Sequence, residues 1–238
     1  MTRPSRTLRH GLAALAVLAL AALFVPLRAW AVSGEALELL AQDSISSASQ
    51  AIDLLAADDS PASGRLLAAL LDGSLHLRKA DQRLVVAQSR GEAFSVADAL
   101  SSESLGEAAK DELSKVPIRN SLRTRIRGLL TQRRLSSPDA AVRREASAEL
   151  LKGAEDIEEA ALTRRLEAET DAAVREHLDA VLALKRLAGE DPALVLASIA
   201  ALKGNLEPTV RTALAGLKDR AGDPQIARAA GEALDSIA

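Results

Sequence analysis

The stretch Asp139-Ala-Ala-Val-Arg143 recurs twice along the chain, as Asp171-Ala-Ala-Val-Arg175 and as Glu207-Pro-Thr-Val-Arg211. The three valines are 32 and 36 residues apart, and apolar residues at helical spacing follow each copy. An acid lies four residues before each arginine, an orientation that favours an ion pair within one helix. The recurrence predicts repeated helical units, with a plain helical bundle lacking repeat symmetry as the alternative.

A second helix is predicted between successive copies, over residues 156–168 and over Pro192–Leu202. Asp191-Pro192 and Asp223-Pro224 each place a capping aspartate before a proline in the first helical turn. Two helices per unit of this length are typical of an α-solenoid, and the three copies resemble HEAT-type repeats, in which the acid and the arginine open the second helix. We therefore predict an all-α fold, an α-solenoid of HEAT-like helix pairs over residues 119–238.

The first half is less regular. Residues 32–74 are predicted to form short amphipathic helices, over residues 35–41, over Ile45–Ala57 and over residues 61–71.

From Leu75 the pattern changes to that of strands. Leu75–Arg78 alternates apolar and polar residues, and residues 83–86 form a short β-branched run. We predict a small β-hairpin here, with Phe94-Ser-Val96 as a candidate third strand. Residues 75–118 are thus predicted as a mixed insertion in the helical fold.

Residues 1–31 carry the features of a secretory signal peptide. A basic start precedes an apolar stretch over residues 11–25, and Ala29-Trp30-Ala31 is a small-residue cleavage motif. This stretch is shorter than the roughly 20 residues of a membrane-spanning helix, so cleavage is predicted, with an uncleaved anchor as the alternative. The mature chain would start at Val32, be periplasmic and contain no membrane span. It would also be net acidic, which argues against nucleic-acid binding.

Few residue types in the chain can support catalysis. There is no Cys and no Tyr, and Phe94 is the only aromatic residue after residue 31. His76 and His177 have no second histidine at metal-ligand spacing, and the serines lack the glycine elbow of a hydrolase. We therefore predict that the protein is not an enzyme and has no metal or cofactor, the histidines being structural.

One concentrated group of cations stands out on this acidic chain. Its members lie on one face of the helix predicted after Pro117 and are Arg119, Arg123, Arg127 and Arg134. We call them the arginine stripe and predict that they bind an acidic partner or lipid headgroups. The alternative is a solvated face whose arginines pair with acids of the preceding segment, Glu103, Glu107, Asp111 and Glu112.

Two segments of the first half carry a more specific resemblance. They are Leu70-Leu-Asp-Gly-Ser-Leu-His-Leu-Arg-Lys-Ala-Asp81 and Leu105-Gly-Glu-Ala-Ala-Lys-Asp-Glu-Leu-Ser-Lys-Val116, followed by Asn120, Leu122-Arg123 and the repeats. In this order they resemble the exported N-terminal region of urea-type ABC transporter permeases, relatives of the branched-chain amino acid permeases. The resemblance implies a place in the uptake of urea or short amides. The membrane half of that family has no counterpart in this sequence, so we expect an accessory role.

Two functions remain open on this basis. The first is a non-catalytic periplasmic accessory module whose partner is the membrane permease or the periplasmic urea-binding protein. The second is an independent periplasmic scaffold that binds another protein through its helical repeats.

Overall fold

The computed structural model describes residues 32–42, 44–153 and 157–237, so the predicted signal peptide lies outside the described residues. Within them the chain forms ten α-helices and one five-stranded antiparallel sheet, with 62% of the chain helical and 13% in strands. The predicted all-α class is therefore wrong. The fold is mixed α/β, and the expected solenoid with a small hairpin does not describe it.

Three helices open the described chain, and they match the predicted positions closely. They are α1 (Gly34–Ala41), α2 (Ile45–Ala57) and α3 (Pro61–Asp72). A serine precedes each helix and its hydroxyl accepts a hydrogen bond from a first-turn amide, which satisfies a donor that has no partner inside the helix. α3 ends at Gly73, whose φ of 69° is the left-handed conformation that glycine adopts without steric cost.

The sheet follows directly and has the strand order β4-β3-β2-β1-β5. Its strands are β1 (Leu75–Arg78), β2 (Arg83–Arg90), β3 (Ala93–Asp98), β4 (Ser104–Ala109) and β5 (Leu113–Lys115). A 3-10 turn over Lys110–Glu112 returns the chain so that β5 pairs with β1. The predicted hairpin and third strand are confirmed as β1 to β3, whereas β4 and β5 were not predicted.

Each face of the sheet covers a different core. Leu75 and Leu84 face the helices and join the core made by α1 to α3. Val85 and Val96 point the other way, into a small separate cluster that Phe94 packs against. β4 carries Gly106, Glu107 and alanines in place of β-branched residues, so its sequence gave no strand signal.

Seven helices make up the rest of the described chain. They are α4 (Asn120–Leu135), α5 (Ala140–Leu151), α6 (Glu159–Ala168), α7 (Ala172–Arg186), α8 (Pro192–Leu202), α9 (Pro208–Arg220) and α10 (Pro224–Asp235). α7 packs against α5, α6 and α8, and α10 packs against α8 and α9. α4 contributes Leu122 and Ile126 to the N-terminal core and Leu135 to the C-terminal core, so it belongs to both.

The predicted capping roles of Asp191 and Asp223 are confirmed, and two further aspartates cap helices in the same way. Asp139, Asp171, Asp191 and Asp223 each precede a helix and accept a hydrogen bond from a first-turn amide. The predicted pairs between the acid of each repeat and the arginine four residues later are not seen in the described part of the chain. The repeated arginines donate to backbone carbonyls instead: Arg143 to Ser137 and Pro138, Arg175 to Leu166 and Glu169, and Arg211 to Ile237.

Candidate functional site

The structure divides the arginine stripe into anchored and free members. Arg123 is half-buried, and its guanidinium donates to the carbonyl of Leu71 at the end of α3. Arg134 forms ion pairs with Glu145, at 3.1 Å, and with Glu149 of α5. These two arginines therefore hold α4 against its neighbours on either side.

Arg119 and Arg127 are exposed, and neither side chain makes a hydrogen bond or an ion pair within residues 32–42, 44–153 and 157–237. The expected alternative, pairing of the stripe with the acids of residues 103–112, is not seen in that part of the chain. Other arginines of α4 also have partners. Arg125 pairs with Asp53, and Arg133 donates to the carbonyls of Leu55 and Asp58.

A further cation lies beside the stripe. A Cβ atom placed on Gly73 would lie 2.6 Å from Nζ of Lys115 and 3.6 Å from Nη2 of Arg123. The side chain of Lys115 is exposed and has no hydrogen-bond or ion-pair partner among the described residues. Residues from both segments of the transporter resemblance thus meet at the end of α3. We call Lys115, Arg119, Arg123 and Arg127 the basic patch.

The division of the stripe has a measurable consequence. Arg123→Ala should lower the free energy of unfolding by about 1–3 kcal/mol, because the Leu71 carbonyl loses a charged donor and half-buried packing is removed. Arg127→Ala, one turn further along the same face, should change it by less than about 0.5 kcal/mol. Urea unfolding followed by circular dichroism measures both, and equal effects of the two substitutions would contradict this division.

A second open surface lies between α6 and α8, above α7. It is a groove of about 880 Å³, which we call the α6–α8 groove. Leu166 of α6 forms part of one wall, Leu194 and Ala197 of α8 form the other, and Ala183 of α7 lies on the floor. The loop at Lys203 closes one end of the groove.

The helices around this groove are fixed by one buried carboxylate. Glu169 follows α6 and its side chain is fully buried. It accepts hydrogen bonds from Nε and Nη2 of Arg143, both at 3.0 Å, from Arg165, and from the amides of Thr170 and Asp171, both at 2.8 Å. Burial alone would raise the pKa of Glu169, but the hydrogen bonds from Arg143 and the two amides, with the charge of Arg165, lower it to about 2.

Ser147 and His177 form the one contact between a serine hydroxyl and a histidine ring within residues 32–42, 44–153 and 157–237, with Oγ and Nδ1 2.9 Å apart. Ser147 is fully buried and donates its only hydroxyl hydrogen to the carbonyl of Arg144. The hydroxyl therefore accepts from the Nδ1–H of His177, the reverse of what activates a nucleophile. The pair is a structural link between α5 and α7.

The other histidine is also held by the backbone. Nδ1 of His76 donates to the carbonyl of Ser74 over 2.9 Å, and its ring lies 6.0 Å from that of Phe94. The described ranges contain no cluster of three or more His, Cys, Asp or Glu side chains able to hold a metal ion.

No protein-family model matches the chain, and comparisons with curated proteins and with solved structures return no match. No helix in the described part of the chain is long and apolar enough to cross a membrane.

Proposed function

We propose that the chain is a non-catalytic protein-interaction module that binds an acidic surface of a partner protein through the basic patch. The observation that carries this proposal is the exposure of Arg119 and Arg127, without ion-pair partners among the described residues, on either side of the anchored Arg123. The chain as a whole has a net charge of −3. The unpaired cations on one helix face therefore give this surface a positive charge, opposite in sign to the net charge of the chain.

The arrangement suits electrostatic steering of a partner. Arg123 is held by the carbonyl of Leu71, which keeps the patch on a rigid helix. Arg119 and Arg127 remain free to contact carboxylates, and Lys115 adds a fourth cation from β5. Complementary charge of this kind raises the association rate and selects between partners more than it adds affinity.

The resemblance to the N-terminal regions of urea-type permeases supports a specific partner. On that proposal the chain is an exported accessory of a urea or short-amide uptake system, and the basic patch contacts the permease or the urea-binding protein. The alternative proposal, an independent scaffold for another protein, is favoured by the α6–α8 groove, since that surface is remote in sequence from both resemblance segments.

Surface plasmon resonance tests the proposal with two analytes, the purified urea-binding protein and the permease in nanodiscs. The double variant Arg119→Glu and Arg127→Glu should bind one of them about tenfold more weakly at low salt, since each reversal replaces an attraction by a repulsion. The difference should shrink as salt rises, because exposed charges are screened within about 8 Å at physiological ionic strength.

A matched control separates the patch from net charge. Arg164 and Arg228 are also exposed and lack partners in the described ranges, so Arg164→Glu with Arg228→Glu changes the net charge equally. The control variant should bind like the wild type. Equal weakening by both double variants would remove the patch from the proposal, and failure of the wild type to bind either analyte would remove the transporter partner.

A further inference from the structure

We infer that the α6–α8 groove is a second docking site, which takes a basic amphipathic helix of a partner protein. This goes beyond the proposed function, because it concerns a different surface and a partner of opposite charge. The groove has helical walls, α6 and α8, which both pack against α7 and leave one face of α7 open between them.

Exposed apolar side chains mark this surface. Within residues 32–42, 44–153 and 157–237, the exposed large hydrophobic residues are Leu194, 39% accessible, and Leu206, 74% accessible. Leu194 lines the groove, and Leu206 follows directly after the lining residue Asn205. An exposed large apolar side chain in an open groove is a feature of interaction sites. An apolar helix face in the groove would bury Leu194.

The charged residues that line the groove determine which charge a complementary occupant carries. Glu167, Glu176 and Asp179 line it, are exposed, and make no ion pair within the described ranges. Two of the lining cations are already engaged. Arg175 donates to the carbonyls of Leu166 and Glu169, and Arg186 pairs with Glu159 at 2.6 Å.

Lys203 makes no ion pair within the described residues, and Arg175, whose hydrogen bonds go to neutral carbonyls, also keeps its charge, so three carboxylates without an ion pair face two such cations. Unpaired carboxylates therefore outnumber unpaired cations, and the complementary partner carries Lys or Arg. Because two of the carboxylates, Glu176 and Asp179, lie on α7 itself, such cations must reach the middle of the groove and not only its rim.

The shape of the groove favours a helix as the occupant. α7 has 15 residues, so its open face is about 22 Å long, a match for a partner helix of about four turns. Helices pack at interaxial distances of about 8–10 Å, and a groove floored by Ala180 and Ala183 allows such an approach. Apolar residues at i, i+3, i+4 and i+7 would meet Leu166 and Leu194, while basic residues beside this stripe would meet the carboxylates.

The test uses the full chain and a designed, fluorescein-labelled peptide of about 16 residues, with a Leu/Ala stripe on one helical face and lysines beside it. A second peptide has glutamate at every lysine position. Fluorescence anisotropy at low salt should show binding of the lysine peptide. The affinity of the glutamate peptide should be lower by about tenfold or more.

Two double variants locate the peptide. Glu176→Lys with Asp179→Lys should weaken binding of the lysine peptide about tenfold. Asp219→Lys with Asp235→Lys makes the same charge change at exposed carboxylates of α9 and α10, outside the groove, and should leave binding unchanged.

A third variant tests the shape independently of charge. Ala197→Trp, at an exposed wall position, should also weaken binding, while circular dichroism shows that the fold is kept. Equal weakening by the two charge variants, equal binding of the two peptides, or no binding of the lysine peptide would overturn the inference. None of these results bears on the basic patch, whose test uses other residues and other analytes.

Discussion

Replacing Glu169 with alanine is expected to lower the free energy of unfolding by about 3–5 kcal/mol, since the arginines facing it would lose their buried counter-charge. The side chain of Arg143 is 11% exposed and that of Arg165 is 19% exposed. Water would therefore solvate the two guanidinium groups poorly once the carboxylate is removed. The amides of Thr170 and Asp171 also lose their acceptor. Urea unfolding at pH 7 measures the loss, with Glu167→Ala, an exposed carboxylate two residues away, as the control.

The same carboxylate gives stability a defined pH dependence. The pKa of Glu169 falls from the ordinary 4.5 to about 2 on folding, so the unfolded chain binds the proton more readily. The contribution of Glu169 to stability is therefore fully present above about pH 4.5 and is lost as the pH falls toward 2. In Glu169→Gln, the fall in stability over this range should be shallower than in the wild type. Parallel curves for the two proteins would show that Glu169 does not carry the effect.

Leu178→Ala is expected to cost about 2–5 kcal/mol of unfolding free energy, as a cavity in the C-terminal core. Val174 and Leu178 of α7 both have no accessible surface. Glu176 lies on the open face of the same helix, and Glu176→Ala should change stability by less than about 0.5 kcal/mol. Urea unfolding of the two variants side by side gives the comparison. Equal, small changes in the free energy of unfolding would contradict the assignment of Leu178 to the buried face of α7 and of Glu176 to its open face.

The sequence predicted best what short-range chemistry controls. Asp191-Pro192 and Asp223-Pro224 marked helix starts because a capping carboxylate and a proline act within one turn. The chain from Ser104 to Ala109 gave no such signal, because its strand depends on pairing with β3 and not on residues that favour strands. That omission, together with β5, is why the all-α class was predicted.

The candidate sites were predictable only in part. Spacing placed Arg119, Arg123 and Arg127 on one helix face, but it could not show that Arg123 reaches the carbonyl of Leu71, 52 residues earlier. The α6–α8 groove depends on how three helices pack, which no local pattern encodes. Leu206, an apolar residue in a polar loop after Gly204, was the one available sign of it.

The position of α4 has a mechanical consequence. This helix is embedded in the N-terminal core through Ile126 and in the C-terminal core through Leu135, and side chains along it clamp both sides. It therefore works as a strut about 24 Å long from its 16 residues. Because α4 belongs to both cores, one continuous helix and not a loop joins the N-terminal core to the C-terminal core.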